Sequence, residues 1–323
     1  MTRFNQHTTG REVVEACAPA ADGKTILITG PSQGSIGAAV VVALAAAKPE
    51  VIFLAGRNKT KIDPVIEEFR KENTTTRLVY VPLDLSDQSS VRAAAAEVNS
   101  QIDKLDILFN NAGIMCTMPF TKSAQGIELQ FATNHVSHFL LTALLMPKIK
   151  AAGAGSRIVH TSSTGLQLCD PTFENYNWDD GKTYHPWLAY AVSKCSQSLF
   201  SVALAKRLKG TGIATFALQP GMPSTSLTQN IQQEGPASFP EAIGINTARF
   251  GGVKQDQSGD IKTLESASST ILAAALDHDL EPESGKFLRN CAVYDVMPYA
   301  LDPDAAERLW TLSEKLIGEE FKV

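Results

Sequence analysis

From Lys24 onward, short apolar runs rich in Val, Ile and Leu recur between longer amphipathic stretches. The runs are KTILIT, EVIFLA, RLVYVPL, LDILFNN, RIVHTSS and IATFALQ, with a weaker seventh, KFLRNCAVY. Polar residues hardly alternate within them, which marks strands buried on both faces. The stretches between, residues 61–72, 89–100, 126–150 and 189–208, are long enough for helices. Strand and helix in alternation predict an α/β fold with right-handed crossovers. The expected product is a doubly wound parallel sheet of about seven strands with helices on both faces, its ligand sites at the carboxyl ends of the strands.

No internal repeat and no Pro-, Ser- or Gln-rich linker divides the chain, so residues 24–323 read as one Rossmann-type domain. Residues 1–23 form an extension in which Thr9-Gly10-Arg11-Glu12 has the pattern of a capping box, predicting a short helix to about Cys17. Hydrophobic residues at 44% and charged residues at 20% are ordinary globular usage and exclude a disordered or fibrous chain. A net charge of -5 without a long basic run argues against nucleic acid as a partner. The longest apolar stretch, residues 36–47, is shorter than the roughly 18 residues of a membrane span and predicts a buried helix. The first two dozen residues lack the apolar block of a secretory signal, so a cytoplasmic protein is expected. Cys17, Cys116, Cys169, Cys195 and Cys291 are odd in number and show no CxxC pair, which suits reduced thiols better than disulfides or zinc.

The first run ends in Thr29-Gly30-Pro31-Ser32-Gln33-Gly34-Ser35-Ile36-Gly37 and leads straight into the apolar helix. Gly30 and Gly34 there would let the backbone turn and approach a pyrophosphate, Gly37 would let helix and sheet pack closely, and helix N–H groups would face the phosphates. After the second run comes Arg57, where such folds often carry an acidic residue for the adenosine ribose. An arginine matches a 2′-phosphate in charge and shape, so NADP(H) is favoured over NAD(H). Asp84 follows the third run and Asn110-Asn111-Ala112-Gly113 the fourth. A carboxylate there can accept from an adenine amino group, and a small-residue turn lets a cofactor approach. Tyr190 and Lys194 are four apart on a predicted helix and therefore share a face, where the ammonium would lower the phenol's pKa from about 10. Taken singly, each of these features also describes an ordinary turn, loop or exposed helical pair.

Together, in this order, Thr-Gly-x-x-x-Gly, Asn-Asn-Ala-Gly, a helical Asn, a strand-end Ser, Tyr-x-x-x-Lys and Pro-Gly-x-x-x-Thr span Thr29 to Thr225, and the chain resembles a short-chain dehydrogenase/reductase. Residues 175–194, NYNWDDGKTYHPWLAYAVSK, and Phe131-Ala132-Thr133-Asn134-His135 resemble its retinol-dehydrogenase-like and WW-domain-oxidoreductase-like branch, without a WW domain in this sequence. The resemblance implies a catalytic group of Asn134, Ser163, Tyr190 and Lys194. Ser163 would hold the substrate oxygen, Tyr190 would give or take its proton, Lys194 would bind the nicotinamide ribose, and Asn134 would position a water relay. Ser163 is preferred to Ser162 as the last serine of the pair. Cofactor contacts are implied at Gly30, Ser32, Gly34, Ser35, Ile36, Gly37, Arg57, Asp84, Leu85, Asn111, Ala112, Gly113, Tyr190, Lys194, Pro220, Gly221 and Thr225. Two departures stand out. The glycine loop carries one extra residue, which makes Ser35 a candidate phosphate contact, and the 27 residues between Ser163 and Tyr190 include Phe173, Tyr176 and Trp178, which would shape a pocket.

His135 and His138 lack a third ligand motif nearby, so no metal is expected. Asp179-Asp180 and Glu319-Glu320 are adjacent pairs that do not converge as an acid/base dyad, and Cys116 is read as packing rather than nucleophile. Residues 226–264, rich in Gln, Gly, Ser and Pro, are the expected substrate lid, with Phe239, Ile243 and Phe250 able to close over an apolar ligand. The function implied is NADPH-dependent reduction of a ketone or aldehyde, or oxidation of the alcohol, on a small and fairly apolar molecule, as a monomer or homodimer. A dehydratase, epimerase or isomerase on the same fold, and a non-catalytic NADP redox sensor, are the alternatives.

Overall fold

The computed structural model describes residues 3–168, 172–223, 227, 238–250 and 261–323. Eight strands form one sheet: β1 (Thr25–Thr29), β2 (Val51–Gly56), β3 (Arg77–Pro82), β4 (Ile107–Asn110), β5 (Arg157–Thr161), β6 (Ala214–Gln219), β7 (Phe287–Arg289) and β8 (Ala292–Val293). Their order is β3-β2-β1-β4-β5-β6-β7-β8, parallel throughout except for the β7–β8 pair. β1, β2, β4, β5 and β6 are buried along their whole length, as their unbroken apolar runs require, whereas the edge strand β3 is partly exposed. The weak run KFLRNCAVY is two strands rather than one. Asn290 and Cys291 adopt left-handed φ of 53° and 62°, which makes the two-residue turn of a hairpin.

Helices cover both faces. On one lie α1 (Gly10–Ala16), α2 (Ile36–Ala43), α3 (Lys59–Arg70) and α8 (Leu264–Leu276), whose Val13, Val41, Phe69 and Leu272 share a core with Ile26 and Ile28 of β1. On the other lie α4 (Gln88–Gln101), α5 (Ser137–Ala152), α6 (Pro186–Arg207) and α9 (Pro303–Ile317), which bury Val91, Phe139, Phe200 and Trp310 with Leu27. A further helix, α7 (Ser238–Phe250), packs against α6. The capping box at α1 is formed, with Thr9 Oγ1 accepting from Glu12 N and the Glu12 carboxylate accepting from Thr9 N. The apolar stretch 36–47 is helical only to Ala43 and then tightens into a 3-10 turn, Leu44–Ala46. The expected helix over 126–150 is broken. A short turn at Leu129–Phe131 and a π turn at Ala132–Val136 precede α5, so the π turn falls around Asn134. Such bulges are frequent at functional sites. Among the described residues no helix is long and apolar enough to cross a membrane.

Candidate active site

The carboxyl ends of β1 and β4 are joined by one hydroxyl. Thr29 Oγ1 accepts from Asn111 N at 3.0 Å and Ala112 N at 2.9 Å, and lies 3.0 Å from His138 Nε2. His138 Nδ1 is 3.0 Å from the Asn134 carbonyl, which can only accept, so the ring proton is on Nδ1 and Thr29 donates to Nε2. Burial keeps this ring neutral, with its pKa lowered to about 4. One donation and two acceptances use the Thr29 hydroxyl fully, and the Asn111 amide donates back to Thr29 O at 2.9 Å.

This closeness explains the glycines. Gly30 has φ of +72°, and a Cβ on it would lie 2.9 Å from Ala112 Cβ. A Cβ on Gly37 would come within 2.5 Å of Asn111 Nδ2. Ser35 Oγ caps α2 by accepting from Ala38 N and donates to Gly30 O at 3.2 Å. Ser32 O accepts from Ser35 N within the same loop, and Ile36 opens the helix. At the end of β2, Arg57 is exposed, and no described residue holds its guanidinium. Asp84 uses Oδ1 on Ser86 N and Oγ, while the carbonyl of the next residue, Leu85, accepts from Ser137 Oγ.

On the far side of β4 the side chains themselves are held. α6 begins at Pro186, where proline's fixed φ suits the first turn, and carries Tyr190 and Lys194 into the interior. The Lys194 ammonium donates to Thr161 O at 2.8 Å and to Gln197 Oε1 at 3.0 Å. Ser163 Oγ and the Tyr190 ring meet at Gly165, 3.2 and 3.1 Å from where a Cβ on it would stand. Ser162 instead spends its hydroxyl on Lys194 O at 2.7 Å, so the two serines are sorted by partner. Asn134 donates to Ile114 O and Ser193 Oγ and accepts from Ile114 N. Both amide protons are therefore held by protein, while Oδ1 keeps one acceptor site. A Cβ on Gly113 would sit 3.2 Å from both Lys194 Nζ and Asn134 Oδ1, so only glycine leaves that space open.

The electrostatics reverse one expectation. Burial pushes the Tyr190 phenol up, only partly offset by the Ser163 hydrogen bond, and the neighbouring lysine does not lower it in this state. The Lys194 ammonium lies 5.7 Å from the ring centroid and is itself pushed down to about 7 by burial, so at neutral pH it carries only part of its charge.

Beyond β6, Pro220 is buried, and Gly221 has φ of +110° with Lys262 packed against it. Thr225 lies outside the described residues, as does most of the expected lid; of its three apolar residues Ile243 packs on the core. Beside Tyr190, Met115, Cys116, Trp187 and Leu227 form an apolar wall. Of the insert, Phe173, Tyr176 and Trp178 join the main core rather than this wall. His135 pairs with Ser313 Oγ, and among the described residues no group of three His, Cys, Asp or Glu side chains gathers as metal ligands. Sequence reading missed Met115, Trp187 and Gln197, and considered His138 only as a metal ligand. Position on the tyrosine's helix offered a signal for Trp187, three residues before it, and for Gln197, three residues after the lysine.

The family profile described as short chain dehydrogenase matches residues 24–177. The chain is 36% identical to retinol dehydrogenase 12 of Bos taurus over 92% of its own length and 87% of the relative's. It is 34% identical to retinol dehydrogenase 13 of Homo sapiens over 92% of its length and 86% of that protein. A crystal structure of a protein from Mycobacterium Paratuberculosis superposes with a TM-score of 0.71 at 27% identity, covering 96% of this chain and 98% of that one.

Proposed function

The chain belongs to the short-chain dehydrogenase/reductase family, in its retinol-dehydrogenase-like branch, and from that premise we propose that it is an NADPH-dependent oxidoreductase reducing a ketone or aldehyde, or oxidising the corresponding alcohol, of a small, fairly apolar substrate. The observation that carries this reading is the convergence of Ser163 Oγ and the Tyr190 ring at Gly165, 3.2 and 3.1 Å from where its Cβ would stand, with Lys194 buried one turn further along the same helix. The cradle fits a nicotinamide dinucleotide: backbone opens at Gly30, Gly34 and Gly113, where side chains would collide or strain. Gly30, Gly34, Ile36 and Gly37 would hold the pyrophosphate, Asp84 the adenine side, and Lys194 with Pro220 and Gly221 the nicotinamide end. Arg57, exposed and unengaged, supports preference for a 2′-phosphate. When bound, the nicotinamide supplies or accepts the hydride.

The protein's own part is to orient and to move one proton. Ser163 Oγ and Tyr190 Oη together would grip the substrate oxygen, and in reduction Tyr190 donates its proton to that oxygen as negative charge develops there. A phenol pushed up by burial is fully protonated at neutral pH, which suits the donor role. In the opposite direction Tyr190 must become a phenolate, and the Lys194 cation then favours it. Met115, Cys116, Trp187 and Leu227 exclude water from the reacting centre and favour an apolar substrate body.

The test is consumption of NADPH and of NADH, followed at 340 nm, against a panel of apolar ketones, aldehydes and quinones. Faster turnover with NADPH is expected. Equal use of both cofactors would remove the Arg57 assignment, and tight NADPH binding without turnover of any substrate would turn the reading toward a redox sensor.

A further inference from the structure

Lys194 stands between two acceptors of different kinds. Thr161 O belongs to β5 and is fixed by the sheet, while Gln197 Oε1 belongs to a side chain one turn along α6. Gln197 is 1% exposed, and its Nε2 meets no acceptor among the described residues. A buried amide with its donors unpaired is costly, and an apolar residue of similar size would pack there without that cost. What the amide provides is one carbonyl oxygen 3.0 Å from the ammonium.

We propose that Gln197 is a positioning residue, accepting from the Lys194 ammonium so as to keep it both charged and directed toward Thr161 O. The proposal rests on the role given to Lys194 above. A neutral carbonyl accepts a hydrogen bond from the ammonium but has no proton to offer a neutral amine in return, so its effect is to favour the charged form against burial. The other groups around the ammonium do little to hold that charge. On α6 Tyr190 is a neutral phenol, and Cys116, next to it from the turn after β4, is a thiol. His138 of α5 is neutral at physiological pH, and a charge on it would oppose Lys194. His160 of β5 is also held neutral by burial. Asn134 and Gly113, which flank the ammonium from the π turn and the β4 turn, carry no charge.

The experiment is a 13C NMR titration of the lysine Cε resonances in the intact protein, with Lys194 assigned by loss of its signal in Lys194→Arg. Gln197→Leu should lower the Lys194 midpoint by about one pH unit and Gln197→Glu should raise it by a similar amount. Gln197→Leu should at the same time keep the thermal midpoint of the wild type, because it removes an unpaired buried amide. If Gln197→Leu does not fold, Gln197→Glu, with the same shape, decides alone. An unmoved Lys194 midpoint in the folded variants overturns the proposal, as does a Gln197→Leu protein that is destabilised while its Lys194 titrates normally. In ketone reduction the alkaline limb of the pH–rate profile should move in the same two directions. Shifted NMR midpoints in a protein that turns over no substrate would leave Gln197 in its role and refute the oxidoreductase reading instead.

Discussion

At the ends of β1 and β4 side chains are spent on the protein and the backbone is left open at glycines. At the end of β5 and along α6 the arrangement is inverted, with backbone carbonyls holding the side chains of the proposed catalytic group. Thr29 accepts from main-chain N–H groups and pairs with His138, Ser35 and Asn111 donate to neighbouring main-chain carbonyls, and Gly30, Gly34 and Gly113 are what remains open. Lys194 and Asn134 are pinned by Thr161 O and Ile114 O, while Tyr190 meets Ser163. The difference suits what each half would bind in the proposed function. A pyrophosphate is met well by N–H groups and a helix end, which any residue supplies and only glycine uncovers. Proton transfer needs particular side chains at fixed distances, so their freedom has to be removed by neighbours. His138 joins the two halves, bonded to Thr29 on one side and to the Asn134 carbonyl on the other.

The sharpest way to separate the halves is at Lys194, to which the proposed function gives a part in both. Lys194→Met should lower kcat/KM by about a thousandfold and weaken cofactor binding in a direct titration, whereas a loss confined to one parameter would put the residue in one half only. Acid should undo the joint next. His135 is held down to about 3 and His138 to about 4, and His160 well below its ordinary 6.5, all by burial. Between pH 6.5 and 4 the unfolded chain therefore binds protons that the folded one refuses. The stability these rings contribute is complete above 6.5, and below it each ring gives up about 1.4 kcal/mol for every further fall of one pH unit until it protonates in the folded protein. Glu128, raised to about 7 by burial, acts oppositely between 4.5 and 7, but it is one group against three. Urea unfolding across that range should show a net loss of several kcal/mol on acidification, and a flat profile would contradict the neutral histidines.

Smaller effects should stay within one half. Thr29→Val leaves the Asn111 and Ala112 N–H groups without their acceptor, at a cost of about 1–3 kcal/mol, and should loosen cofactor binding roughly tenfold at unchanged kcat. A fall in kcat instead would show that the two halves are not separable. Arg57→Ala should weaken NADPH roughly tenfold and leave NADH unchanged, as measured by fluorescence titration.

Much of this division was legible in the sequence, because the two halves advertise themselves differently. Strands buried on both faces must be apolar without alternation, so six of the eight were visible as runs, and glycine marks open backbone directly. KFLRNCAVY misled because its turn uses Asn290 and Cys291 in left-handed conformations without a glycine to announce it. α9 carried its signals, Asp302 as cap, Pro303 at the first position and Gly318 beyond the end, but they stood outside the regular alternation of strand and helix and went unread. The π turn around Asn134 was not read from the sequence, and the bonds that hold its side chain come from Ile114 and Ser193, distant along the chain. The upward push on Tyr190 was equally hidden. A spacing of four puts the ammonium on the tyrosine's face but does not reveal that both groups are buried or that Thr161 and Gln197 hold the ammonium.

The central claim is that Tyr190 moves the proton while other residues hold the cofactor. Its most direct test is Tyr190→Phe, with turnover and NADPH binding measured on the same preparation. Turnover should fall by roughly a thousandfold with the Kd for NADPH unchanged. Turnover equal to the wild type, or a loss accounted for entirely by weaker NADPH binding, would contradict the account.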